Sequence, residues 1–151
     1  MRVTAIMNRQ VVVVKRGTTL AAAARLMLKH NINSLPVLDE SDHLVGMVGI
    51  RDVLRVPVPS NSDMPILKWA RLEDKAVQLE RTTVDHVMAR QVVSVNEEAR
   101  VIDAAALMAN RGLHPIPVLR DGRLVGVVSR ADVVKALLDL LGTDASQNQS
   151  A

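Results

Sequence analysis

Apolar positions follow two rhythms along this chain, short β-branched runs and helical stripes, and the same succession of rhythms occurs twice. Residues 11–14 (Val-Val-Val-Val) and 92–95 (Val-Val-Ser-Val) are runs suited to buried strands. Behind Thr18 and Thr19, which suit a helix N-cap, Leu20, Ala23, Ala24, Met27 and Leu28 fall at helical spacing. Val101, Ala104, Ala105, Met108 and Ala109 repeat it. Asn31 and Gly112 stand just past these stripes, and they are the residue types that best tolerate the left-handed conformation ending a helix. Segments 36–38 and 44–48 then read as a strand pair, mirrored by 117–119 and 124–128. Asp121-Gly122 suits a tight hairpin turn, and residues 39–43 a looser loop. Closing helices are expected at about 50–55 and 130–141, the second ending at Gly142, with residues 143–151 a small, polar, disordered tail.

Each half therefore reads strand, helix, strand, strand, helix, and the residues themselves recur. At an offset of 81 (88 − 7) thirteen positions are identical, among them Met7/Met88, Val11/Val92, Val12/Val93, Ala23/Ala104, Met27/Met108 and Pro36/Pro117. After one residue is lost from a loop, six more agree at an offset of 80 (124 − 44), including Gly46/Gly126 and Asp52/Asp132. The fold class expected is α+β, two βαββα units packed as a pseudo-two-fold pair with two related clefts. The expected divisions are repeat 1 over residues 1–56, a linker over 57–83, repeat 2 over 84–142 and the tail. In the linker Pro57, Pro59, Ser60, Asn61, Ser62 and Asp63 break the chain. Pro65 then suits the start of a helix over 65–80 with Ile66, Trp69, Ala70 and Leu72 as a partial stripe. The helix is expected to pack across the pair, a partner-docking or dimer role being the alternative.

Composition narrows the picture. With 48% apolar and 23% charged residues the chain is globular, and one Trp with no Phe or Tyr makes its core aliphatic. No apolar stretch reaches the roughly 18 residues of a membrane span, and no signal-peptide pattern opens the chain, so a cytoplasmic location is expected. The net charge of +3 is dispersed without a Lys/Arg run, which with the scarcity of aromatic rings argues against nucleic acid as a partner. Any base that binds must sit between aliphatic side chains. Zero cysteines exclude disulfides and thiolate chemistry.

The segment richest in chemistry is Gly126-Val127-Val128-Ser129-Arg130-Ala131-Asp132. A strand delivers a glycine, where backbone can approach a ligand closely. A hydroxyl follows at the strand end, and a carboxylate three residues later lies on the same side of the first helical turn. Ser129 could donate to a phosphate near the helix N-terminus and Asp132 could accept both hydroxyls of a ribose. Equally, Ser129 is a good N-cap and Asp132 a favourable first-turn acid, and composition alone favours that structural reading.

These residues resemble the CBS domain, the module named for cystathionine β-synthase, in its usual tandem pair. The resemblance covers roughly residues 3–55 and 84–141, and its marks are Val87-Met88 before a first strand, Ile116-Pro117-Val118 in a second, and the Gly126 to Asp132 segment. It implies two clefts that in many members bind AMP, ADP, ATP or S-adenosylmethionine, the Asp holding ribose, the Ser or Thr touching phosphate and first-strand backbone meeting adenine. Carried onto this chain, one cleft combines Val127, Ser129 and Asp132 with Val11, Val12 and Pro36. The other combines Met47, Gly49 and Asp52 with Val92, Val93 and Pro117. Gly49 departs from the pattern, since Ser or Thr is expected there. His114 occupies a position that some members use for a phosphate-contacting His or Arg, and its counterpart is Asn33. Arg51 and Arg130 are candidates for phosphate charge, or equally solvated helix residues.

His30, His43, His86 and His114 are scattered, and the chain has no H-E-x-x-H, G-x-S-x-G or P-loop, so neither catalytic residues nor metal ligands are expected. The function implied is a stand-alone, non-enzymatic sensor that binds an adenosine ligand, forms a homodimer through alanine-rich helix faces at 21–24 and 104–106, and regulates an enzyme or transporter in trans. The alternative is a structural dimerisation module with empty clefts.

Overall fold

The computed structural model describes residues 1–58 and 72–148, the last six of these by backbone alone. The expected breaks at Pro59, Ser60, Asn61, Ser62 and Asp63 and the helix positions Pro65, Ile66, Trp69 and Ala70 lie outside the described residues. The chain divides into two compact units, residues 12–92 and residues 1–11 together with 93–151.

In the first-repeat unit, residues 12–92, β1 (Val14–Lys15) leads to α1 (Leu20–His30), β2 (Ser34–Leu38), β3 (Leu44–Gly49), α2 (Ile50–Leu54) and α3 (Leu72–Arg81). The sheet order is β1-β2-β3, with β1 parallel to β2 and β2 antiparallel to β3. α1 starts where the Thr19 side chain accepts from the Ala22 N–H at 3.1 Å, while the Thr18 hydroxyl donates to the Lys15 carbonyl. It ends at Asn31 in the left-handed conformation, φ 51°. Its buried face is Leu20, Ala21, Ala23 and Met27, whereas Leu28, counted in the apolar stripe, is 75% exposed. Met27, Leu35, Val37 and Val48 are fully buried beneath it, each such side chain contributing roughly 1.5–3 kcal/mol. α3 packs on α1 and places Leu79 against this core, while Leu72, counted in the linker's partial stripe, is 82% exposed.

The second-repeat unit builds β4 (Val95–Asn96), α4 (Val101–Arg111), β5 (Ile116–Arg120), β6 (Arg123–Val128) and α5 (Arg130–Asn148) into the same order, β4-β5-β6. α4 buries Val101, Ala104 and Met108 and stops at Gly112, φ 63°. Asp121 and Gly122 both take positive φ, 50° and 77°, which closes a two-residue hairpin turn. The longer loop of the first unit is held instead by Asp39, whose Oδ1 accepts from the Ser41 and His43 N–H groups, both at 2.9 Å.

Three expectations are corrected. The valine runs give strands of two residues only, because β1 pairs with β2 through Val14↔Val37 and Lys15↔Leu38 and β4 with β5 through Val95↔Val118 and Asn96↔Leu119. A β-branched composition favours extended backbone but does not supply a pairing partner. α5 does not stop at Gly142 but continues to Asn148, so residues 143–148 are helical. A glycine inside a helix costs about 1 kcal/mol relative to alanine, and no proline follows to end it. Third, the alanine-rich helix faces are open only in part: Ala21, Ala23 and Ala104 are buried, Ala22, Ala24 and Ala105 half-buried, and Ala106 exposed.

Each unit also takes in the short segment that precedes the other repeat's first strand. In the second-repeat unit, Val3 N–H bonds the Ala99 carbonyl at 2.9 Å and Val101 N–H bonds that of Met1 at 2.9 Å. In the first, Leu20 N–H bonds the Thr82 carbonyl and Val84 N–H that of Thr18, both at 2.8 Å. Val3 and Val84, each in a single 3-10 turn, are fully buried.

Candidate functional site

Those segments explain the glycines of the last strands. Asn8 and Val127 exchange two backbone bonds, 2.8 and 3.0 Å, and Ala89 and Met47 exchange two of 2.9 Å. Beside each bridge a methionine lies on a glycine. A Cβ on Gly126 would be 2.6 Å from the Met7 sulfur, and one on Gly46 would be 2.5 Å from that of Met88. The close approach read at Gly126 as room for a ligand is thus made by the chain's own thioether. Because both backbone polar groups of Val127 and of Met47 are engaged, only their half-buried side chains remain for a ligand.

At the end of β6, Ser129 and Asp132 close a reciprocal cap. Ser129 N–H donates to Asp132 Oδ2 at 2.7 Å, the Ser129 hydroxyl donates to the same oxygen at 2.8 Å, and Asp132 N–H donates to the Ser129 hydroxyl at 3.2 Å. This is the structural reading weighed from the sequence, and it is formed here. It leaves Asp132 Oδ1 without a bond among the described residues, in the first turn of a helix of 19 residues. The first-turn N–H groups of Arg130 and Ala131 have no intrahelical acceptor and so remain as donors toward an anion. The Ser129 hydroxyl carries one proton, so donating it to a phosphate requires giving up the bond to Asp132.

The Gly49 turn keeps half of this arrangement. Gly49 N–H donates to Asp52 Oδ2 at 2.7 Å, but with no side chain at 49 the return bond is missing. Ile50 N–H is already bonded to the Asn33 carbonyl at 2.9 Å, and α2 has five residues. Fewer free donors and a shorter helix make this turn the weaker anion site.

The candidate residues divide between the units. Val12, Asn33, Pro36, Met47, Gly49, Arg51, Asp52 and Val92 belong to the first-repeat unit, and Val11, Val93, His114, Pro117, Val127, Ser129, Arg130 and Asp132 to the second. Asp132 with Ser129 and Asp52 with Gly49 are brought together within their units; Pro36 and Pro117 are buried inside β2 and β5. Val11, Val12, Val92 and Val93 are half-buried where the chain passes from one unit to the next. Arg51, Arg130, Asn33 and His114 are exposed. One polar position escaped the motif search: Ser34, paired in register with Gly49, has a buried hydroxyl with no partner. A comparison of the repeats could have marked it, since position 115, its counterpart, is proline.

A groove elsewhere in the first-repeat unit is lined by Arg16, Gly17, Asp39, Glu40, Ser41 and Asp85, none of them a candidate. Asp85 accepts from Arg16 Nε at 2.8 Å and from Gly17 N–H at 2.6 Å, and these bonds hold its carboxyl below the usual carboxylate range. That carboxylate fastens a loop. Among the described residues no group of three or more His, Asp or Glu could hold a metal ion, and no helix is long and apolar enough to cross a membrane.

Two three-stranded sheets of the same strand order, each ending in a strand-to-helix turn with an aspartate, make a tandem repeat, and known proteins share it. The chain matches the CBS domain over residues 3–58 and 84–139, and it belongs to the CBS domain family. It is 32% identical over 140 residues to an uncharacterised 17.7 kDa protein of Acidianus ambivalens, covering 92% of this chain and 74% of the other. Among solved structures it is similar to CBSX2 of Arabidopsis thaliana in complex with AMP, with a TM-score of 0.73 and 27% identity over 92% of this chain and 97% of that one. It is also similar to the CBS domain pair of protein MJ0100 in complex with 5′-methylthioadenosine and S-adenosylmethionine, with a TM-score of 0.69 and 25% identity over 91% and 95%.

Proposed function

We propose that this chain is a non-enzymatic, cytoplasmic sensor that binds an adenosine-containing ligand, AMP, ADP, ATP or S-adenosylmethionine, and regulates a partner enzyme or transporter. The observation that carries the reading is the pair of turns in which an aspartate is fixed by a 2.7 Å backbone bond at the end of a strand, on a fold shared with pairs that bind AMP or S-adenosylmethionine. In this reading Asp132 and Asp52 hold ribose hydroxyls, Ser129 with the first N–H groups of α5 meets phosphate, and Arg130, Arg51 and His114 add positive charge at its edge. Val127, Met47, Val11, Val12, Val92 and Val93 give the aliphatic surface for adenine that the lack of aromatic rings demands. Asn33 takes in the first repeat the place of His114, and Pro36 and Pro117 lie in the strands that lead to the turns. A ligand regulates by binding one arrangement of the protein more tightly than another.

A thermal-shift screen with AMP, ADP, ATP, S-adenosylmethionine and NADH tests this. A ligand at one hundred times its Kd stabilises the folded chain by about 2.7 kcal/mol, so at least one adenosine compound raises the melting temperature by several degrees. No shift with any of them supports the ligand-free dimerisation module instead. One observation bears on the dimer that both readings expect. Val134, Leu137, Leu138 and Leu141 form an exposed stripe on α5, each more than half accessible, where a second copy can dock. Light scattering is expected to give a dimer, and a monomer mass at micromolar concentration contradicts it.

A further inference from the structure

The two repeats carry a hydroxyl on opposite strands of the same strand pair. In the second-repeat unit it belongs to Ser129, at the end of β6, and position 115 is a proline. In the first-repeat unit Gly49 ends β3 without a side chain, and the residue paired with it on β2 is Ser34. A Cβ built on Gly49 would lie 3.9 Å from the Ser34 Cβ and 3.8 Å from Asp52 Oδ2, so both border the space that a side chain at 49 would enter. The Ser34 Oγ is sealed from solvent and has no hydrogen-bond partner. Burying a hydroxyl unpaired is unfavourable, and native structures seldom keep one without a use for it.

We infer that Ser34 supplies from β2 the hydroxyl that Gly49 lacks, turning about its Cα–Cβ bond to donate to the phosphate of an AMP-type ligand held at Asp52. The residue as a whole is only half-buried, and serine has three staggered wells about that bond, so the hydroxyl can turn without moving the strand. The two serines differ in what donation requires. Ser129 must break its bond to Asp132, whereas the Ser34 proton is committed to nothing in the ligand-free chain. The inference rests on the proposed adenosine site and deepens it, making the Asp52 turn selective for a phosphate-bearing ligand.

Calorimetric titrations of AMP and of adenosine into the parent, Ser34→Ala and Asp52→Ala proteins test it, with ligand-free melting curves alongside. A hydrogen bond to a charged group corresponds to roughly a tenfold change in affinity or more. Ser34→Ala is expected to weaken the Asp52-dependent phase of AMP binding by about that factor, to leave adenosine binding unchanged, and to melt no lower than the parent. Unchanged AMP binding overturns the inference, whatever the melting temperature, as does equal weakening of AMP and adenosine. If the parent binds neither compound, the adenosine reading itself fails and this inference with it.

Discussion

Glu97 and Arg120 of the second-repeat unit form a two-bond ion pair at 2.6 Å, and the equivalent positions of the first, Arg16 and Asp39, carry the opposite charges yet bond elsewhere. Arg16 turns to Asp85, and Asp39 caps its own loop. The strand-to-helix turns diverge in the same manner, a closed cap at Ser129 against a half cap at Gly49. Beneath these differences the apolar scaffold is held in common: Met7 on Gly126 and Met88 on Gly46, buried Val3 and Val84, two identical sheet orders. Polar bonds at a surface can be rewired because each contributes little, whereas packing against a backbone admits few substitutes. The two turns therefore differ within one frame.

The largest expected effect on stability strikes that shared frame. In Gly126→Ala the added carbon meets the Met7 sulfur at 2.6 Å and the Asn8 carbonyl oxygen at 3.0 Å, and Gly46→Ala meets Met88 and Ala89 in the same way. Overpacking of this kind costs about 1–3 kcal/mol, and urea unfolding should show the two losses to be similar. Gly142→Ala is the control, since nothing lies within 4 Å of its new carbon, and it should gain up to about 1 kcal/mol from helix propensity. Harmless changes at both packed glycines would break the claim of a common scaffold.

A smaller effect sharpens the contrast between the turns. Gly49→Ser gives the first-repeat unit the missing half of its cap, but the new Cβ lies 3.3 Å from the Asn33 carbonyl oxygen, which must give by a few tenths of an ångström. Replacing glycine by serine at an N-cap is worth only a few tenths of a kcal/mol, so stability should hardly move. AMP affinity at the Asp52 turn should rise severalfold in a calorimetric titration. An unaltered isotherm would show that the hydroxyl at this position is not what separates the two sites.

The smallest effect concerns acid. Bonds from Arg120 lower the Glu97 pKa, and bonds from Arg16 and Gly17 lower that of Asp85. A carboxyl whose folded pKa lies below its unfolded value stabilises the fold fully above the unfolded pKa, near 4, and loses that contribution as pH falls through the folded pKa. The difference in urea midpoint between the parent and Glu97→Gln should accordingly be present at pH 7 and shrink between about pH 5 and pH 3. A constant difference would mean the pair is not what shifts Glu97.

Much of the frame was readable from local signals. The helix ends at Asn31 and Gly112, the Asp121-Gly122 turn and the duplicated βαββα order all follow from residues a few positions apart. The exchange of residues 1–11 into the second-repeat unit was not readable, because the Asn8–Val127 bridge spans most of the chain and neither residue type advertises it. The same distance hid the purpose of Gly46 and Gly126, which depends on methionines far away in sequence. At the candidate site the motif located Ser129 and Asp132, while Ser34 lies outside any motif and shows itself only when strands are set in register.

In the proposed function Asp132 holds the ribose of an adenosine ligand at the stronger of two unequal turns. Isothermal titration of AMP near pH 7.5 into the parent, Asp132→Ala and Asp52→Ala proteins tests it most directly. Losing a carboxylate that accepts two hydroxyls removes about 1.5–3 kcal/mol, so Asp132→Ala should weaken the tighter phase by roughly ten- to one-hundredfold while Asp52→Ala spares it. An Asp132→Ala isotherm that matches the parent, or a tighter phase that vanishes with Asp52→Ala instead, would contradict the claim.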